Sequence, residues 1–418
     1  MIRKIILLIL VMGIGKSYAQ DTKEPQNDGT ATEVVTPPKE EKSHFMLRGF
    51  AQFGLDASSD NVEFNMTSFN PVILYRQGDR FLFESELEME YMSNEFSLNL
   101  GYASASYIIT KGVTVKVGKI LIPFGEFGEK LHPSWVNRMA DAPLGLGHDG
   151  GMLPMADIGV ELRGGLQMGK SKLSYSIYCV NGPRLKDGTM GQEEAGMLSW
   201  ENMNDNNKNK ALGARIGILP LSNSSLEIGF SGYYAKPGNS TSPYAGDSMN
   251  MDLNYKDVTA LLTAIDLSYV KQIAPLKGVI DIKGQYNMSD VSNATYLKPG
   301  DTNRLTNRYT FTNSSTAYYA QLAYRPTMAG NKILKNIEVV GRYSVYNTPV
   351  GSLWESTQSQ ISLGLNYWFS WRTVLKVGYQ MSDGVPAGMS GMSMGGASMS
   401  SMSTSTVNTF QIHLAMGL

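Results

Sequence analysis

The sequence predicts an all-β fold: a transmembrane antiparallel β-barrel of about 16 strands, preceded by a signal peptide and a disordered arm. Three observations predict it. The first nineteen residues have the form of an export signal. From Phe45 onward apolar residues alternate with small or polar ones, over roughly 9–15 residues at a time. Beyond the signal there is no apolar run of about 18 or more residues, the length a spanning helix needs.

Composition narrows the function classes. The chain has 418 residues, with 36 Lys+Arg against 37 Asp+Glu and a formal net charge of −1. Such a balance excludes a generic polyanion binder with a basic face, so no nucleic acid is expected as a partner. Charged residues make up 17%, below the roughly 25% usual for soluble domains. A single cysteine, Cys179, excludes an intrachain disulfide framework and a cysteine zinc site.

Taken in order, residues 1–19 read as the signal peptide. Arg3 and Lys4 give the positive start, Ile5 to Gly13 the short apolar core, and Ser17-Tyr18-Ala19 a small-x-small cleavage site before Gln20. No cysteine follows that site, so lipoprotein anchoring is not expected. Residues 20–44 (QDTKEPQNDGTATEVVTPPKEEKSH) are polar and contain proline. They lack the large apolar side chains a core requires and read as a flexible periplasmic arm. Residues 45–418 form the third region, the barrel itself.

Strands are predicted near 46–57, 68–77, 80–92, 95–109, 113–121, 156–168, 172–181, 210–218, 225–236, 256–271, 278–289, 309–324, 336–346, 357–369, 373–381 and 406–418. Each sets a dry face against a wet one. Phe81, Phe83, Leu87, Met89 and Tyr91 oppose Glu84, Glu86, Glu88 and Glu90. Phe96, Leu98, Leu100 and Tyr102 oppose Ser97, Asn99, Gly101 and Ala103. Ile158, Val160, Leu162, Leu166 and Met168 oppose Gly159, Glu161, Arg163 and Gln167. A soluble sandwich would alternate too, so the connections decide. Gly78-Asp79, Lys111-Gly112, Gly169-Lys170-Ser171 and Ser370-Trp371-Arg372 are tight turns, whereas 122–155, 182–209, 237–255, 290–308 and 382–405 are long loops. An even strand count with this alternation is the pattern of bacterial outer-membrane barrels. A bilayer admits only helices or closed barrels. The expected location is therefore the outer membrane of a Gram-negative bacterium, with outer-membrane lipid as a partner. Tyr75, Tyr91, Tyr107, Tyr175, Tyr234, Tyr269, Tyr343 and Tyr367 suit interface girdles.

Sixteen strands leave a water-filled lumen. The longest connection, 122–155, is the third external loop and a candidate constriction loop, with Phe124, Glu126, Glu129, His132, Trp135, Arg138 and Asp149 as its candidate residues. His132 and His148 with Glu126, Glu129, Asp141 and Asp149 match no compact metal motif, and no metal or cofactor is expected. A nucleophilic triad is not evident either. His413 is the one histidine inside a strand, at a lumen-facing position, so no catalytic residues are assigned and the chain is not expected to be an enzyme.

Val117-Gly118-Lys119 running into Leu121-Ile122-Pro123-Phe124-Gly125 resembles the strand-to-loop junction of phosphate-selective porins of the O/P type. Ile337-Glu338-Val339-Val340-Gly341-Arg342-Tyr343-Ser344, followed by Leu363-Gly364-Leu365-Asn366-Tyr367-Trp368, is similar to their late strands. The resemblance covers about a third of the chain. The resemblance implies a sixteen-stranded barrel, a homotrimer, and passage of small ions or solutes. That family's arginine ladder and lysine cluster are absent here, so phosphate selectivity is not carried over.

Pore-lining candidates follow from strand parity: Arg48, Glu84, Glu86, Glu88, Glu90, Lys116, Glu161, Arg163, Arg215, Asp281, Lys283, Glu338, Arg342 and Lys376, with Asp56, Glu227 and Asp266 on the same face. The Glu84/Glu86/Glu88/Glu90 row repeats about every 6.6–6.8 Å along one face, and such a row facing lipid would be prohibitive. Two readings stand. Unpaired, the row favours cations; paired with Lys116 or Arg48, it is neutralised. A run of methionines between 389 and 402 admits soft copper ligation or mere low complexity. The expected function is a passive diffusion channel for small hydrophilic solutes or ions. The alternative is a barrel-anchored adhesin, binding protein or enzyme with a plugged lumen. The permeating solute, its charge and the openness of the lumen are not legible.

Overall fold

A computed structural model describes residues 43–418 apart from 60, 93–94, 148–150, 189–192, 201–204, 244–252, 299–306 and 387–403. The signal, nearly all of the arm and the Met-rich stretch lie outside the described residues. Among the described residues the strands are β1 (Ser43–Ala57), β2 (Val62–Gln77), β3 (Phe81–Met92), β4 (Glu95–Thr110), β5 (Val113–Leu121), β6 (Ala156–Met168), β7 (Ser171–Val180), β8 (Arg184–Leu185), β9 (Leu198–Ser199), β10 (Ala211–Leu219), β11 (Leu226–Ala235), β12 (Ala260–Ile273), β13 (Gly278–Val291), β14 (Thr295–Leu297), β15 (Arg308–Thr310), β16 (Asn313–Arg325), β17 (Ile337–Asn347), β18 (Thr357–Trp368), β19 (Thr373–Pro386) and β20 (Thr404–Gly417).

All but β8, β9, β14 and β15 join in one closed barrel of sixteen strands in sequence order. β1 closes onto β20, with Phe50 opposite Gly417 and Ala57 opposite Phe410. Closure leaves no unpaired edge, which is what lipid demands of a β-structure. The tight turns are as the sequence expects. Gly78 (φ 58°) and Gly169 (φ 61°) take the left-handed conformation that closes two of them. The small hairpins β8–β9 and β14–β15 were not expected, because two or three residues are too few to show a period of two. β15 takes the start of the strand expected over 309–324, whose barrel part begins at Asn313.

Period two places the dry face outward. Phe45, Phe83, Leu98, Val160, Ile177, Leu212, Phe230, Ile265, Leu322, Leu363 and Phe410 are all exposed around the barrel wall. Tyr75, Tyr107, Tyr234 and Tyr343 are exposed with them. One expected face is corrected. Tyr102 was placed with Phe96, Leu98 and Leu100, but it turns inward. In the β3–β4 register Glu86 lies opposite Tyr102 and the next residue, Leu87, opposite Leu100. Gly101 is thus the extra residue of a β-bulge, and a bulge reverses parity beyond it.

Candidate functional site

The inward faces carry polar side chains that the barrel buries: Gln285, Asn287, Arg342, Asn366, Lys376, Gln411 and His413 are all nearly inaccessible. Buried polar groups need partners, and most of these find one in the segment 122–155, which enters the barrel. Its path can be followed by its contacts. At the long-loop end, Ile122 N–H donates to Met155 O at 2.9 Å. Gly125 N–H then donates to Ser231 Oγ of β11 at 3.1 Å. Glu126 and Phe127 N–H both donate to Gln285 Oε1 of β13, at 2.8 and 3.0 Å. A short helical turn follows over Phe127–Leu131. Lys130 Nζ lies 2.5 Å from Glu227 Oε1, near the tight-turn end of β11.

Trp135 reaches the opposite mouth. Its ring centroid is 5.9 Å from that of Trp371, in the turn between β18 and β19. The chain then returns. Lys376 Nζ donates to Ser134 O and Met139 O at 2.6 and 2.8 Å. Arg138 pairs with Asp281 and Glu338 at 3.2 and 3.4 Å. Arg342 donates to Asp141 O and Ala142 O at 2.9 and 3.2 Å, while Asp141 Oδ2 accepts from Gln380 and Gln411 at 2.8 and 2.9 Å. The segment thus traverses the lumen from one mouth to the other and back. A constriction alone would have narrowed the pore without crossing it.

The packing around the insert is one-sided. Ile122, Phe124, Phe127, Leu131 and Leu146 join one apolar cluster with Tyr178, Tyr233 and Tyr319 of the wall and with Tyr296, Phe311 and Trp354 of the long loops. On that side the wall charges are buried as well. Arg215 forks onto Asp266, and the two side chains are 6% and 1% exposed. On the other side, against β1 to β6, a cavity of about 430 Å³ remains. Its lining includes Arg48, Glu84, Glu86, Tyr102, Lys116, Leu121, Glu129, His132, Trp135 and Arg163, with Gly417 and Leu418 at the tight-turn mouth.

Several charges in this cavity are paired. Lys116 Nζ lies 2.5 Å from Glu84 Oε1. Glu86 Oε1 accepts from Asn70 Nδ2 at 2.9 Å, and its Oε2 is 3.8 Å from His132 Nε2. Arg163 bridges Glu129 of the insert and Glu161 of its own strand. Of the two cations considered for the acidic row, Lys116 takes Glu84, while Arg48 lines the cavity with Nε 3.0 Å from Met46 Sδ. Glu88 and Glu90 also have partners. Lys283 lies 3.3 Å from Asp281 and 4.0 Å from Glu126. Burial pushes the Glu126 carboxyl up, against the pull of Lys283 and Lys130. His413 is fully buried between Gln52 and Asp56, at 2.8 and 2.7 Å. Asp149 lies outside the described residues, and Phe124 is core rather than lining.

Several functional positions escaped the sequence reading: Gln285, Ser231, Asn366, Gln380 and Gln411, which hold the insert. They are neutral wet-face residues, and nothing in a strand pattern separates them from any other.

No family model matches the chain, and no curated protein matches it. Solved structures do. The outer membrane channel DcaP of Acinetobacter baumannii is 13% identical, with a TM-score of 0.55 over 90% of this chain and 97% of that one. The anion-selective porin from Comamonas acidovorans is 13% identical, with a TM-score of 0.54 over 90% and 100%. OmpT of Vibrio cholerae in its trimer form is 12% identical, with a TM-score of 0.50 over 90% and 99%. At such identities the likeness is one of fold: this chain has the sixteen-stranded barrel of the outer-membrane porins.

Proposed function

We propose that the chain is an outer-membrane diffusion channel for small hydrophilic solutes or ions, exported by a cleaved signal peptide and assembled as a homotrimer. The observation that carries this reading is the cavity of about 430 Å³ between the insert and the β1–β6 wall, with its charged lining. An apolar outer surface suits lipid and a polar inner one suits water. The anion-selective porin of similar fold supports a channel, and the trimer form of OmpT supports the assembly state. The phosphate-selective subtype gains no support, because Lys116 and Arg163 of the lumen are already paired with carboxylates.

Planar-bilayer conductance of the purified protein tests the reading. Discrete channels are expected, in steps of three for a trimer. A second reading, a plugged barrel that anchors a binding function, draws on the insert's passage through the whole lumen. Absence of conductance in correctly folded protein would favour it.

A further inference from the structure

Ion pairs hold the insert on two sides, and the cavity tells them apart. Arg138 is 23% exposed and its partners Asp281 and Glu338 are each 5% exposed, while Lys130 and Glu227 are 38% and 18% exposed; none of these lines the cavity. Arg163 and Glu129, 31% and 20% exposed, both line it, so this pair stands at the edge of the open space. It also links two different bodies: Glu129 belongs to the insert and Arg163 to β6. A second contact of the same kind lies beside it. His132 of the insert faces Glu86 of β3 at 3.8 Å. Its Nδ1 is 2.6 Å from Gly128 O. A carbonyl only accepts, so Nδ1 carries the proton and Nε2 looks toward the cavity.

A solute in this cavity lies between the insert and the wall, beside the Glu129–Arg163 pair. A simple cation satisfies Glu129 but leaves Arg163 with Glu161 alone. A simple anion does the reverse. Loss of one member of a partly desolvated pair costs far more than its exchange. A neutral solute offers only hydrogen bonds to two charges. A solute that carries a carboxylate and an ammonium group on separate atoms replaces both partners at once: its carboxylate takes the planar fork of Arg163, and its ammonium takes Glu129.

On this basis, and resting on the channel reading above, we propose that the Glu129–Arg163 pair is a selectivity element for zwitterionic solutes of amino-acid or short-peptide type. Glu161 strengthens the site. It accepts from Arg163 Nε at 2.6 Å and from Ser176 Oγ at 2.7 Å, which holds the guanidinium in place while its other edge changes partner.

The test is osmotic swelling of vesicles carrying the purified full-length protein, in glycylglycine, in N-acetylglycinamide and in arabinose. The first is a zwitterion; the second has a similar backbone without charge; the third is a neutral control. Wild type is expected to admit glycylglycine several-fold faster than N-acetylglycinamide. Glu129→Gln, checked for folding by its heat-modifiable mobility, is expected to bring the two rates together. Equal rates in wild type, or a preference that survives Glu129→Gln, overturns the proposal while arabinose entry keeps the channel reading. No swelling in any of the three solutes overturns both.

Discussion

Gly125 lies directly against Gln285. Its φ is 67°, and a Cβ on it would run into the Gln285 amide. That closeness lets one side-chain oxygen accept two consecutive backbone N–H groups of the insert. Gly125→Ala is therefore expected to loosen the insert. Left-handed strain of about 1–3 kcal/mol adds to the loss of two hydrogen bonds of about 1 kcal/mol each. Faster hydrogen exchange within 122–147, with the barrel strands still protected, is the outcome to look for. Unchanged exchange would refute it.

The Arg215–Asp266 pair is buried against the filled side of the lumen. Breaking such a pair by removing one partner leaves an uncompensated charge and costs about 3–5 kcal/mol. Asp266→Ala is expected to lower the temperature at which the folded band unfolds on a detergent gel. Arg215→Met combined with Asp266→Leu should recover most of that loss, since apolar replacements leave no orphaned charge.

Paired charge in the cavity changes what the acidic row does. Glu84→Gln frees Lys116, so the reversal potential in a KCl gradient is expected to move toward the anion side. Adding Lys116→Met should return it close to wild type. The effect should fade with salt, as the screening length falls from about 10 Å at 0.1 M to about 3 Å at 1 M. A row acting as free carboxylates would instead keep the double variant displaced.

Glu126 gives the insert a pH dependence of known sign. Burial raises its carboxyl in the folded state, and Oε2 finds no hydrogen-bond partner among the described residues. The folded form then holds its proton more tightly than the unfolded chain. The insert is most stable below the ordinary carboxylate value of 4.5 and loses stability as pH rises from there through the raised folded value. Glu126→Gln is expected to flatten that slope. The check is hydrogen exchange of the insert across a pH series, wild type beside variant.

Cys179 stands in register with Val160 and Leu212, both exposed on the outward face. In a bilayer it is expected to resist a charged, water-soluble thiol reagent and to react with an apolar one. Rapid labelling by the charged reagent would place that face in water.

The sequence by itself determined the barrel. Alternation is a local property: it states which side chains share a face, and strands that cross lipid can satisfy their backbone only in a closed barrel. Strand parity placed Arg163, Arg215, Asp281 and Arg342 together on the wet face for the same reason. The tight turns at Gly78 and Gly169 were equally local. Parity failed at Tyr102, where a bulge is set by how two strands pair and not by either strand alone.

The tertiary structure decided the path of the insert and the pairing of charge. Residues 122–155 have no period to read. Their course is fixed by partners far along the chain, such as Gln285 for Glu126, Lys376 for Ser134 and Arg342 for Asp141. Whether Glu84 acts as a free carboxylate depends on Lys116, two strands away. Such pairings come from closing the barrel, which brings together residues that no sequence spacing relates.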